Sequence, residues 1–174
     1  MADKPEIVQD ILPNHCWSSD ELIPTIIVNH AISARNTNHN APYDYGSVRA
    51  ILVKYGFSAT YAVLRNGKII QWAPDGKVAF HAGASRFHGQ TGLNHHSVGI
   101  EWFGMDDEPF DDRQYNSGAK LTAWLMQTHK IPTGNVRMHS EVSGPNVRPD
   151  PKWDPGLYWD WMKYSGLVLK YLEA

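Results

Sequence analysis

The sequence predicts an α/β domain, with a central mixed β-sheet flanked by helices. Three observations carry that expectation. Short apolar runs alternate with stretches of helical periodicity, the pattern of helices packed on a sheet. One pair of runs flanks Arg65-Asn66-Gly67. Asn-Gly is the strongest short hairpin signal, so at least one strand pair is antiparallel. At 174 residues the chain is long enough for one sizeable core.

Each element has a local reason. Residues 1–24 read as an irregular N-terminal segment, because Pro5, Pro13 and Pro24 interrupt any long element. Thr25–His30 is short, β-branched and preceded by Pro24, as a buried strand would be. Asn36 to Tyr43 is polar and loop-like. Asp44 or Ser47 caps a helix reaching about Tyr55, with Val48, Ile51 and Leu52 on one face and Gly56 as its stop. Thr60–Leu64 and Lys68–Trp72 form the hairpin. Pro74 to Asn94 reads as a long loop region, and Ser97–Phe103 as a strand. Leu121, Trp124, Leu125 and Thr128 mark a helix that begins at Asp111 or Asp112. Val136–His139 is a short strand, followed by a loop rich in Pro and Gly and an amphipathic helix from about Leu157 to Leu172. There is no internal repeat, so the expected organisation is a single domain over residues 1–174.

Composition narrows the function classes. The net charge is −2 and the sequence pI about 6.5, which gives no basic field for nucleic acid or an anionic membrane. No apolar stretch reaches the length that spans a bilayer. The single cysteine, Cys16, excludes an intrachain disulfide and reads as a bland, partly buried thiol. The first ten residues lack an apolar signal core. Seven tryptophans and eight tyrosines suit a core, and also a groove in which flat rings stack on sugars.

The chemistry concentrates in His139 to Gly156, H-S-E-V-S-G-P-N-V-R-P-D-P-K-W-D-P-G. That segment holds an imidazole, a lysine and two candidate carboxylates. The apolar run Thr25–Asn29 ends on a second imidazole, His30. Two histidines and one aspartate, with the fourth position left to water, are what a catalytic zinc site needs. Either Asp150 or Asp154 can serve as the carboxylate, since both precede a proline, and either can instead start a turn. Glu101 lies inside Gly99-Ile100-Glu101-Trp102-Phe103. Strand alternation would point it to solvent, whereas burial would raise its pKa and suit it to general base work. Lys152 is a surface lysine or an oxyanion stabiliser. His88, His95 and His96 read as loop residues, and His39 and His129 carry no signal. No nucleophile elbow, phosphate-cradling loop or dinucleotide fingerprint is present. Metal-assisted hydrolysis is the reading the residues favour.

Five segments now carry a resemblance. They are I-I-V-N-H ending at His30, Y-A-V-L-R-N-G-K-I from Tyr61, F-H-A-G-A-S from Phe80, S-V-G-I-E from Ser97 to Glu101, and M-H-S-E-V followed by K-W-D-P-G. In order and spacing they resemble the zinc-dependent N-acetylmuramoyl-L-alanine amidases of type 2, which share their fold with peptidoglycan recognition proteins. The resemblance implies zinc (Zn2+) held by His30, His139 and Asp154, the last chosen over Asp150 by its K-x-D-P-G setting. It implies Glu101 as catalytic carboxylate, Lys152 as assisting lysine and His81 as a substrate-binding residue lining the groove. The implied activity is hydrolysis of the amide between N-acetylmuramic acid and L-alanine, with non-catalytic peptidoglycan binding as the rival class.

The implied partner is bacterial peptidoglycan or muropeptides, with no nucleic acid and no membrane, and a monomer is expected. Without a signal segment, the expected settings are release onto the wall, as for a phage endolysin, or recycling in the cytoplasm. Three departures stand out. The His139–Asp154 loop is longer than in compact members. Ala59 falls where some members carry a catalytic tyrosine, which leaves Glu101 as the base. Ala-Ile-Ser-Ala-Arg follows the first ligand in place of the commoner segment.

Overall fold

A computed structural model describes residues 2–174. In chain order the strands are β1 (Val8–Gln9), β2 (Trp17–Glu21), β3 (Ile26–Ile32), β4 (Tyr61–Val63), β5 (Ile69–Gln71), β6 (Lys77–Ala79), β7 (Arg86–Phe87), β8 (Gln90–Thr91), β9 (Ser97–Phe103) and β10 (Val136–Met138). The helices are α1 (Tyr45–Tyr55), α2 (Asp112–His129), α3 (His139–Val142) and α4 (Trp161–Glu173). Six strands form one sheet in the order β1-β5-β4-β9-β3-β10. The β4–β5 hairpin is antiparallel, and the other pairings within that sheet are parallel. The expected mixed sheet with flanking helices is therefore the observed architecture.

The helix ends follow their caps. Asp44 accepts from the Ser47 backbone N–H at the start of α1, and Gly56 closes it in the left-handed conformation, φ 68°. Asp111 and Gln114 form a reciprocal capping box on α2. The last helix starts later than its periodicity suggests. Asp160 caps α4 through the Lys163 N–H, whereas Leu157 is 97% exposed and lies outside it.

The N-terminal segment is more ordered than its prolines suggest. β1 joins the main sheet beside β5, and β2 pairs antiparallel with β6. Strands this short depend on long-range partners, which local patterning does not reveal. The same holds for Pro74–Asn94, which contributes β6, β7 and β8. Cys16 is fully buried, not partly so.

Strand alternation divides the core. Val98, Ile100 and Trp102 of β9, with Ile27 of β3, meet α2 and α4. Val48 and Leu52 of α1 pack with Ala62, Ile70, Trp72 and Phe103 in a second cluster. α2 seats closely on β9 because Gly118 gives Trp102 a flat surface. A Cβ there would stand 2.0 Å from the indole. Buried polar groups on this face satisfy one another. The Trp102 indole N–H donates to Asn29 Oδ1 at 3.0 Å, and Tyr164 hydrogen-bonds Thr122 at 2.7 Å.

Candidate metal centre

Register assembles the site. With Ile27 of β3 turned to α2 and α4, His30 leaves the opposite face. Glu101 is its register partner on β9, so the two side chains leave the sheet side by side. On the other flank, Met138, the last residue of β10, is paired with Asn29, and the residue after each is a histidine. His30 and His139 consequently stand with ring centroids 4.2 Å apart. His139 does not open a loop, as its surroundings suggested. It begins α3, a single turn.

Asp154 arrives from the long segment after α3. That segment is pinned by backbone bonds from Lys152 N to Ser143 O, 3.0 Å, and from Ser140 N to Asp154 O, 3.0 Å. Asp154 Oδ2 then lies 3.3 Å from His30 Nδ1 and 3.0 Å from His139 Nδ1. All three side chains are buried, with ligand atoms within 4.8 Å of one another. Asp150, the other candidate carboxylate, is 91% exposed and faces Arg148.

Hydrogen bonding tests whether a cation fits. The Nε2 of His139 faces the Ala82 carbonyl at 3.3 Å, and its Nδ1 faces Asp154. A neutral imidazole has one N–H, so one of these nitrogens would meet an oxygen lone pair to lone pair. A metal at Nδ1 removes the conflict, leaving Nε2–H to donate to Ala82. His30 is arranged in the same way. Its Nε2 lies 2.9 Å from His81 Nδ1, while His81 Nε2 faces the Ser97 carbonyl at 3.4 Å. An N–H on His81 Nε2 makes His81 Nδ1 an acceptor, places the His30 proton on Nε2 and turns the His30 Nδ1 lone pair toward Asp154. Two neutral nitrogens and a carboxylate suit zinc.

Electrostatics agree with the donor set. Burial, then the neighbouring His139, pushes His30 down to about 4, so it is an uncharged ligand at neutral pH. Burial alone would raise Asp154. The His139 and His30 nitrogens that face it lower the carboxyl below the usual carboxylate range, and a cation held between those lone pairs and the carboxylate acts in the same direction. Burial and the Asp154 charge push Glu101 well above its ordinary value, with Lys152 opposing. Glu101 Oε2 is buried without a hydrogen-bond partner, a group poised for a water or a substrate proton.

A cleft of about 490 Å³ surrounds these groups, and Glu101, Lys152 and His81 line it together with the three candidate ligands. His81 also supports His30 through the bond described above. Its ring fits because Gly99 has no side chain: a Cβ there would lie 2.5 Å from the imidazole. Asn94 Oδ1 accepts from the backbone N–H groups of His81 and Ala82, at 3.0 and 2.7 Å, and fixes that segment. Sequence reading passed over Asn94 as part of a loop rich in Gly and Asn. It also passed over Arg148, Phe57 and Trp153, which line the same cleft. No local pattern marks residues that meet only across the groove.

Known proteins match both the sequence and the fold. Residues 20–157 match the model of a family described as N-acetylmuramoyl-L-alanine amidase. The chain is 30% identical to the 1,6-anhydro-N-acetylmuramyl-L-alanine amidase AmpD of Escherichia coli, over 91% of this chain and 90% of that protein. The crystal structure of a selenomethionine AmpD derivative superposes with a TM-score of 0.75 at 28% identity, covering 94% of each chain. The amidase AmiD from E. coli, solved with the substrate anhydro-N-acetylmuramic acid-L-Ala-D-γ-Glu-L-Lys, superposes at 0.69 with 25% identity, over 86% of this chain and 59% of that one. With most of its length matched by the family's model, the chain belongs to the N-acetylmuramoyl-L-alanine amidase family.

Proposed function

We propose that the protein is a zinc amidase that cleaves the amide between the lactyl group of muramic acid and L-alanine, acting on soluble anhydro-muropeptides. The observation that carries this reading is the buried His30–His139–Asp154 cluster beside an unpartnered Glu101 carboxylate. The relative similar over nearly its full length is named for the 1,6-anhydro substrate, which supports a recycling role over lysis of intact wall. The absence, among the described residues, of any helix long and apolar enough to cross a membrane is compatible with both. The common sheet beneath the apolar clusters supports treating the chain as one amidase unit.

His30, His139 and Asp154 would hold the metal. Zinc there would supply Lewis-acid activation, lowering the pKa of water toward about 7 and polarising a carbonyl. Glu101 accepts the proton of the attacking water and passes it to the departing L-alanine nitrogen, so amide plus water becomes carboxylic acid plus amine. Its raised pKa suits both halves of that transfer. Lys152 places a positive charge where negative charge develops on the carbonyl oxygen. His81 holds His30 in the tautomer that presents Nδ1. The complete ligand set supports catalysis over binding alone.

The test is mass spectrometry of anhydro-muropeptides and of peptidoglycan sacculi after incubation, with and without a chelator. Free stem peptide from the soluble substrate, lost on chelation and restored by zinc, is expected. Intact substrates that nevertheless retain the protein would replace the amidase with a binding module.

A further inference from the structure

Arg148 lines the substrate cleft together with Lys152, and among the described residues its guanidinium has one loose ion pair and an unpartnered Nε. The side chain is 24% exposed, and its nearest carboxylate oxygen, on the almost fully exposed Asp150, is 3.7 Å away. That distance is beyond a hydrogen bond. Its Nε is buried with no partner. A largely buried cation whose one anionic neighbour is solvent-exposed and beyond hydrogen-bond distance is incompletely compensated, and its place in a substrate groove says which kind of group completes it. The loop holds it there. Arg148 N bonds to Gly144 O at 3.2 Å, closing a turn before Lys152 N returns to Ser143 O. On the facing wall Gly83 presents no side chain, and a Cβ there would lie 4.0 Å from Arg148 Nη1.

We propose that Arg148 is a specificity-determining residue that binds a free carboxylate on the stem peptide, one residue beyond the L-alanine released by cleavage. This deepens the amidase reading and rests on it. In a stem whose second residue is γ-linked glutamate, the side-chain carboxyl forms the peptide bond and the α-carboxylate remains free. An extended residue spans about 3.3–3.6 Å, so that carboxylate lies within a groove's reach of the scissile bond. A guanidinium meets such a group through two parallel N–H donors, which an ammonium does not reproduce.

The experiment compares two synthetic anhydro-muramyl tripeptides, one with the α-carboxylate and one with an α-carboxamide in its place. Zinc-loaded wild type, Arg148→Ala and Arg148→Lys are assayed on both, with thermal melting and zinc content as folding controls. Wild type is expected to favour the carboxylate by about 10- to 100-fold in kcat/KM, the range of a hydrogen bond to a charged group. Arg148→Ala should abolish that preference, raising KM for the carboxylate substrate to that for the carboxamide, and Arg148→Lys should keep part of it. Equal losses on both substrates, or a wild type that does not discriminate, overturn the proposal and leave the amidase standing. Failure of wild type to cleave either substrate overturns the amidase reading itself.

Discussion

His30 and Glu101 are register partners on the neighbouring strands β3 and β9, so a candidate ligand and a candidate proton carrier leave the sheet side by side. Glu101→Ala removes the carboxylate while leaving the three candidate ligands in place. Turnover is expected to fall by about 10²- to 10⁴-fold, the usual contribution of a positioned acid–base group. Zinc content should match wild type by elemental analysis. Wild-type turnover in this variant would remove Glu101 from the mechanism.

His30→Ala, His139→Ala and Asp154→Ala should each purify without stoichiometric zinc. Asp150→Ala should retain it, because Asp150 points to solvent beside Arg148. Zinc loss in the Asp150 variant would move the third ligand from one aspartate to the other.

Support for the candidate ligands has its own signature. His81→Ala deletes the acceptor for His30 Nε2, and Gly99→Ala drives a methyl group into the His81 ring. Loss of an outer partner typically weakens metal affinity by about 10- to 100-fold. Competition against a fluorescent chelator measures it. Unchanged affinity in both variants would reduce His81 to a groove-lining residue.

The packing of α2 on β9 tolerates no added volume at Gly118. Gly118→Ala places a methyl group against Trp102 and should destabilise the fold by about 1–3 kcal/mol. Denaturant unfolding followed by tryptophan fluorescence reads the shift in midpoint. A midpoint equal to wild type would mean that the indole moves aside freely.

A pH-dependent contribution sits on the N-terminal segment. The Tyr45 hydroxyl, against burial and together with Arg49, holds Asp10 below its ordinary 3.8. A depressed carboxyl stabilises the fold above its unfolded pKa and loses that contribution as pH falls through the folded value. Asp10→Asn should therefore lower the melting temperature at pH 7, and the gap should close as the pH drops below 3.8. The group is partly exposed, so the effect is about 1 kcal/mol or less. A gap that persists in acid would show that packing, not charge, is lost.

Local sequence determined much of this protein. The period of two in Ser97–Phe103, the Asn-Gly turn, the caps at Asp44 and Asp111 and the stop at Gly56 act within a few residues of themselves, so they are readable without a fold. The same holds for the residue types a metal needs, although β3 runs on past His30 to Ile32. Tertiary structure decided what those signals left open. From the residues alone, Glu101 was equally able to face solvent or the site, and pairing with His30 turned it inward. Only the backbone bonds of Lys152 and Ser140 carry the long loop so that Asp154 enters the cluster while Asp150 stays outside. β1, β2 and β6 exist because partners distant in sequence complete their hydrogen bonds. Strand alternation is a property of neighbouring residues, whereas register and loop trajectory are set by contacts between segments far apart in the chain.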